Sequence, residues 1–139
     1  MSVSPFNCGM EAVLDLIGGR WKPLILFYVG RQRLRFSELR RLIGDVSEKM
    51  LSQHLREMVA DGLLRRIDFK TVPPHVEYEA TAFGLELGRS LQPLCEWGSQ
   101  NMGEIAAISA ARDVRRGATT QDATLAKRSR RPATRDSSS

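Results

Sequence analysis

A chain of 139 residues with 42% apolar side chains has room for one modest core, and so for one small domain rather than several. Its 21 Lys and Arg against 16 Asp and Glu leave a formal net charge of +5, which suits a polyanionic partner or plain solubility but says nothing of fold. The opening Met-Ser-Val-Ser-Pro-Phe-Asn-Cys has no cationic or apolar export segment, no apolar run nears the roughly 20 residues that span a bilayer, and two cysteines suit free thiols in a reduced cytoplasm.

In chain order, Met10, Val13, Leu14 and Ile17 recur at helical spacing, so 10–17 reads as a short amphipathic helix ended by Gly18-Gly19. Pro23 suits the first turn of a second helix, and Leu24, Ile25, Leu26, Phe27 and Val29 make that helix apolar nearly all round, as a buried helix is. A basic connector, Arg31 to Arg35, has room for one short strand. Ser37 reads as the N-cap of a brief third helix with Leu39, Leu42 and Ile43 inward and Gly44 as its stop. Ser47 caps a longer fourth helix that runs to about Asp61, with Gly62 as the left-handed terminator. A short helix, a tight turn with glycine and a longer helix is the pattern of a helix-turn-helix.

Two strands follow, Leu64–Lys70 with imperfect alternation and Val76–Ala80 with clean alternation. The double proline between them cannot continue a central strand, so 71–75 is a hairpin loop. A hairpin directly after such a helix pair is a wing. Residues 82–109 read as one long helix with Leu87, Leu91, Leu94, Ile105 and Ile108 along one stripe and a kink at Pro93. From Arg112 periodicity and large apolar residues fade, which predicts a disordered basic tail. The fold class is therefore mainly α with a small β-hairpin wing.

Charge is unevenly placed. Residues 20–70 hold 12 basic and 6 acidic side chains, a net of +6, while 71–111 hold Arg89 against five glutamates, a net of −4. Residues 112–139 hold 8 basic and 3 acidic, a net of +5. One basic block thus lies in foldable sequence, and it contains the fourth helix. There Leu51, Leu55 and Met58 mark the inner face, and Lys49, Ser52, Gln53 and Arg56 the opposite one. Gln can bond adenine bidentately and Arg guanine, while Ser and Lys suit phosphates or base edges. The candidate DNA contacts are Ser47, Lys49, Ser52, Gln53 and Arg56 on the helix, with Lys70, Pro74 and His75 on the wing. Arg65 and Arg66 have two readings, as backbone contacts or as partners of Glu77 and Glu79 across the hairpin.

Cys8, Leu14-Asp-Leu-Ile-Gly-Gly-Arg-Trp-Lys22, Arg35-Phe-Ser-Glu-Leu-Arg40, Lys49-Met-Leu-Ser-Gln-His-Leu-Arg-Glu57, Asp61-Gly-Leu63, Val72-Pro-Pro-His-Val-Glu-Tyr78 and Leu94-Cys-Glu-Trp97 together resemble the HxlR-type family of winged-helix regulators from about residue 8 to 100. The resemblance implies a transcription regulator that binds a palindromic operator in double-stranded DNA as a homodimer, built from N- and C-terminal helices. It divides the chain into an arm and dimerisation helix (1–19), a winged helix-turn-helix (20–81), a C-terminal dimerisation helix (82–111) and a basic tail (112–139). His75 stands where the family commonly has Arg, which weakens the wing-tip charge, and Gly9 replaces the usual Pro after Cys8.

Some members of the family sense oxidants or electrophiles with a cysteine placed like Cys8, so the resemblance makes Cys8 a candidate redox sensor. A position just before a helix raises thiol reactivity and Glu11 opposes it, so an inert thiol is the equal alternative. Cys95, in an apolar stretch, reads as a small core residue, and Trp21 and Trp97 as core or interface anchors. An enzyme is not expected: His54 and His75, the only histidines, fall in the fourth helix and the wing. No metal-ligand spacing or phosphate loop occurs, and no cofactor is implied. Two alternatives to a redox-responsive regulator stand: one answering a small ligand in the dimer crevice, and a winged-helix module that binds protein.

Overall fold

The computed structural model describes the backbone of residues 4–129 and the side chains of residues 4–118. The chain divides between Gln92 and Pro93 into two compact units.

The first helix, α1 (Gly9–Ile17), begins at Cys8 in an extended conformation. Its third residue, Glu11, reaches back so that a carboxylate oxygen accepts from the Asn7 N–H at 2.8 Å, which satisfies a donor with no partner inside the helix. Ile17 is buried and Val13 and Leu16 half-buried, whereas Met10 and Leu14 are exposed. In α2 (Trp21–Val29), Ile25, Leu26 and Val29 are buried, as its nearly all-round apolar sequence requires. The basic connector does hold a short strand, β1 (Leu34–Arg35).

The third helix, α3 (Phe36–Ile43), starts earlier than its serine suggests. Arg35 is its N-cap, without a side-chain bond, and Ser37 lies inside the first turn. Strand β1 sets this start, because Leu34 and Arg35 are committed to the sheet up to the residue before Phe36. Gly44, with φ of +91°, turns the chain into α4 (Glu48–Ala60), where the Ser47 hydroxyl accepts from the Met50 N–H at 3.1 Å. Leu51, Leu55 and Met58 are each at most 1% exposed, and burial of each contributes about 1.5–3 kcal/mol.

Strand β2 (Leu64–Asp68) and strand β3 (Val76–Ala80) form the wing. The sheet order is β1-β3-β2, antiparallel throughout, with Leu34 opposite Tyr78 and Arg65 opposite Glu79. The wing's two ends are tied together by Thr81. Its N–H donates to the Leu63 carbonyl at 3.0 Å and its hydroxyl to the Gly62 carbonyl at 2.6 Å. The same hydroxyl oxygen accepts from the Gly84 N–H at 3.1 Å, capping α5 (Ala82–Gln100).

The long C-terminal helix departs from its sequence reading in three ways. It is interrupted at Asn101, so that α6 (Met102–Ser129) follows α5; the Asn101 side chain bonds the Trp97 carbonyl at 2.8 Å and so competes with the backbone ladder. Residues 112–129, expected to be disordered, are helical. Their lack of an apolar stripe is no bar to a helix, because the Ala-rich start at 106–111 favours it and extension needs only a bond per residue; the next proline is Pro132. The part of the expected tail at 130–139 lies outside the described residues. Finally, the apolar stripe is not uniform: Leu87 and Leu91 pack on the core of the first unit, while Leu94 and Ile108 in the second are exposed. Cys95, expected in the core, is exposed too.

Candidate nucleic-acid interface

The roll of α4 follows from its buried side. With Leu51, Leu55 and Met58 locked in the core, Lys49, Gln53 and Arg56 stand exposed on the other face, and Ser52 is half-buried beside them. Among the described residues no ion pair engages Lys49, Arg56 or Lys70. The Ser47 oxygen is used as an acceptor by the helix cap, which leaves its proton free to be donated.

Gln53 is not free in the same sense. Its Nε2 donates to Glu57 Oε1 at 3.1 Å, and the other oxygen of Glu57 holds Lys22 Nζ of α2 at 2.7 Å. The hydrogen bond from Lys22, then that from Gln53, holds the Glu57 carboxyl below its ordinary range despite partial desolvation. His54 Nδ1 lies 3.7 Å from Glu57 Oε2, and it is buried without a hydrogen bond. Neither Glu57 nor Lys22 is a candidate from periodicity alone. The signal for Glu57 was its spacing of four from Gln53, which places both on one helix face; nothing in the sequence joins Lys22 to them.

The wing separates its three candidates. Pro74 is exposed on the loop, together with Val72, which is 99% exposed. Lys70 is exposed in a left-handed conformation (φ +52°), held by its N–H donating to Asp68 Oδ1 at 2.8 Å. His75 is not at the tip. It sits where the tip loop rejoins the strands, half-buried, with its ring against Phe69 at a centroid distance of 4.6 Å. Both its ring nitrogens face the Arg35 guanidinium, and Nε2 lies 3.2 Å from Glu77. The cause is register: the Phe69 N–H bonds the His75 carbonyl, so the ladder extends one step past the strands and draws His75 into the sheet. Arg65 takes its pairing reading, 2.9 Å from Glu79, which also holds Arg33 at 3.0 Å. Arg66 lies 3.9 Å from Asp68 on its own strand rather than from a partner across the hairpin. Such exposed pairs are worth about 0–1 kcal/mol, so a phosphate could displace them cheaply.

Cys8 is exposed at the start of α1. An open apolar groove lies between α1 and the first turns of α5, lined by Ala12, Val13, Leu16, Phe83 and Leu87. Among the described residues there is no acidic, His or Cys cluster fit for a metal ion, and no helix long and apolar enough to cross a membrane.

A family model described as HxlR-like helix-turn-helix matches residues 16–106. The HTH-type transcriptional regulator YtcD of Bacillus subtilis is 42% identical over 105 residues, which cover 76% of this chain and 83% of that protein. The crystal structure of a ytcD regulator superposes with a TM-score of 0.64 at 43% identity, covering 69% of this chain and 98% of the other. The redox regulator HypR in its oxidized form superposes with a TM-score of 0.64 at 39% identity, covering 68% of this chain and 97% of that one.

Proposed function

Because this chain belongs to the HxlR-like helix-turn-helix family of transcription regulators, we propose that it acts in the cytoplasm as a homodimer on a palindromic operator, with one α4 in the major groove of each half-site. The observation that carries this is the outer face of α4: Lys49, Gln53 and Arg56 exposed over a locked apolar face, the two cations without ion pairs. Ser47 and Ser52 on that helix, and Lys70 and Pro74 on the wing, supply flanking backbone contacts in this reading; His75 braces the tip loop where it rejoins the strands. Met10, Leu14 and Phe83 in the first unit, and, separately, Leu94 and Trp97 in the second, are exposed apolar side chains that a second copy would cover.

Selection of bound duplexes from a random library should enrich an inverted repeat with half-sites about one or two helical turns apart, and sedimentation should show a dimer at micromolar concentration. A stable monomer, or enriched sites without two-fold symmetry, would overturn this reading.

A second reading concerns the signal. Cys8 is an exposed thiol at the N-cap of the helix whose outer side carries Met10 and Leu14, and HypR, the oxidized structure similar to this chain, is a redox regulator. Peroxide would transfer an oxygen atom to the thiolate, giving a sulfenic acid and hydroxide, and so add bulk and polarity to a dimer face. Operator affinity of the wild type should then change on mild oxidation by tenfold or more, roughly, since losing one of two linked half-sites loses most of the affinity. Cys8→Ser should not respond, and Cys95→Ser should respond as the wild type does. An unaltered response in Cys8→Ser removes the sensor role.

A further inference from the structure

We propose that Glu57, anchored by Lys22, is a positioning residue that fixes which end of the Gln53 carboxamide faces the base, and so makes Gln53 a reader of adenine. This rests on the reading that the outer face of α4 enters the groove.

The argument is one of donors and acceptors. A carboxamide can turn end for end at little cost, and each end then offers the opposite hydrogen-bonding character. An ionised carboxylate can only accept, so Glu57 Oε1, 3.1 Å from Gln53 Nε2, selects the nitrogen end. One N–H of Gln53 is used in that bond. One N–H and the carbonyl oxygen remain, a donor beside an acceptor, and adenine presents their complement in the major groove, N7 as acceptor and N6 as donor. Guanine presents two acceptors there, so the fixed carbonyl oxygen repels it, whereas an untethered amide could turn and donate.

The tether itself is fixed from outside the reading helix. Lys22 Nζ holds Glu57 Oε2 at 2.7 Å, and the Lys22 side chain is only 15% exposed in α2. The two carboxylate oxygens therefore serve different elements: one is bound to the core-packed scaffold, the other to the reading side chain. The rotamer freedom of Glu57 is spent before DNA arrives, which is what preorganisation requires.

The test measures binding to single-base variants of the selected operator and to random duplex, for the wild type, Gln53→Ala, Glu57→Gln, the double variant and Lys22→Met. Gln53→Ala should flatten an adenine preference at one position per half-site. Glu57→Gln should lower the adenine-over-guanine preference there by about tenfold. It should leave random-duplex affinity within about twofold, as expected of a residue that touches no phosphate. In the double variant Glu57→Gln should add nothing. Lys22→Met should lower the same preference in the same direction, and carries the test alone if Glu57→Gln melts early. If Gln53→Ala flattens the preference while both tether variants keep it, the inference is wrong and the reading of α4 survives. If Gln53→Ala changes no base preference, both fall. Equal losses on operator and random DNA would make the tether merely structural and also overturn the inference.

Discussion

Gly84→Ala should lower the stability of the protein by about 2–3 kcal/mol, the usual upper range for an added methyl group in a filled core. Gly84 is buried in the first turn of α5, and a Cβ there would land on the Leu63 carbonyl oxygen and 3.1 Å from the carbonyl carbon. These are backbone atoms, which cannot swing aside as a side-chain end would. The same carbonyl accepts the Thr81 N–H at 3.0 Å, so displacing it also strains that bond, itself worth about 1 kcal/mol. Thermal melting should fall by roughly 10 °C or more, at about 4–8 °C per kcal/mol for a domain of this size. Gly88→Ala, where a Cβ meets nothing within 4 Å, is the control and should melt near the wild type, since alanine is the better helix former. Equal melting of the two variants would show that the Leu63 backbone yields to the added methyl group without cost.

The second large effect is on specificity. Gln53→Ala and Arg56→Ala should each cost about 1–3 kcal/mol on the selected operator and little on random duplex, because base edges are read by side chains that reach them and phosphates are not. Lys49→Ala is the contrast. A lysine at the first turn of α4 that meets a phosphate should weaken every sequence alike and make the slope of log K against log salt shallower by about two for the dimer, about one per subunit. Losses for Gln53→Ala and Arg56→Ala that are equal on operator and random DNA would reassign them to the backbone.

What the sequence made legible was periodicity. Leu51, Leu55 and Met58 recur at helical spacing, and the structure buries all three. Ser47 and Gly62 mark the ends of α4 through local chemistry, a side-chain cap and a left-handed turn, that needs no distant partner. Where long-range pairing decides, the reading fails. Strand β1 claims Arg35 and shifts the start of α3 away from Ser37. The ladder between Phe69 and His75 pulls the histidine off the wing tip. Lys22 reaches Glu57 across two helices distant in sequence. Cys95 shows the limit of composition: an apolar stretch in sequence, Leu91 to Trp97, is not thereby buried, and Leu94, Cys95 and Trp97 are all exposed. The length of α6 is illegible for the opposite reason, since residues 112–129 carry no apolar stripe that periodicity could find.

The bonds from Thr81 to Gly62 and Leu63 bear on how freely the hairpin can vary. They close the excursion from residue 62 to residue 81 at its feet, so the distance between the end of α4 and the start of α5 is set without reference to what lies between. The loop between Asp68 and Val76 can therefore be lengthened, shortened or exchanged while the frame around it stays unchanged, whereas the strands cannot, because Leu64 is buried in the core and β3 is also paired to β1.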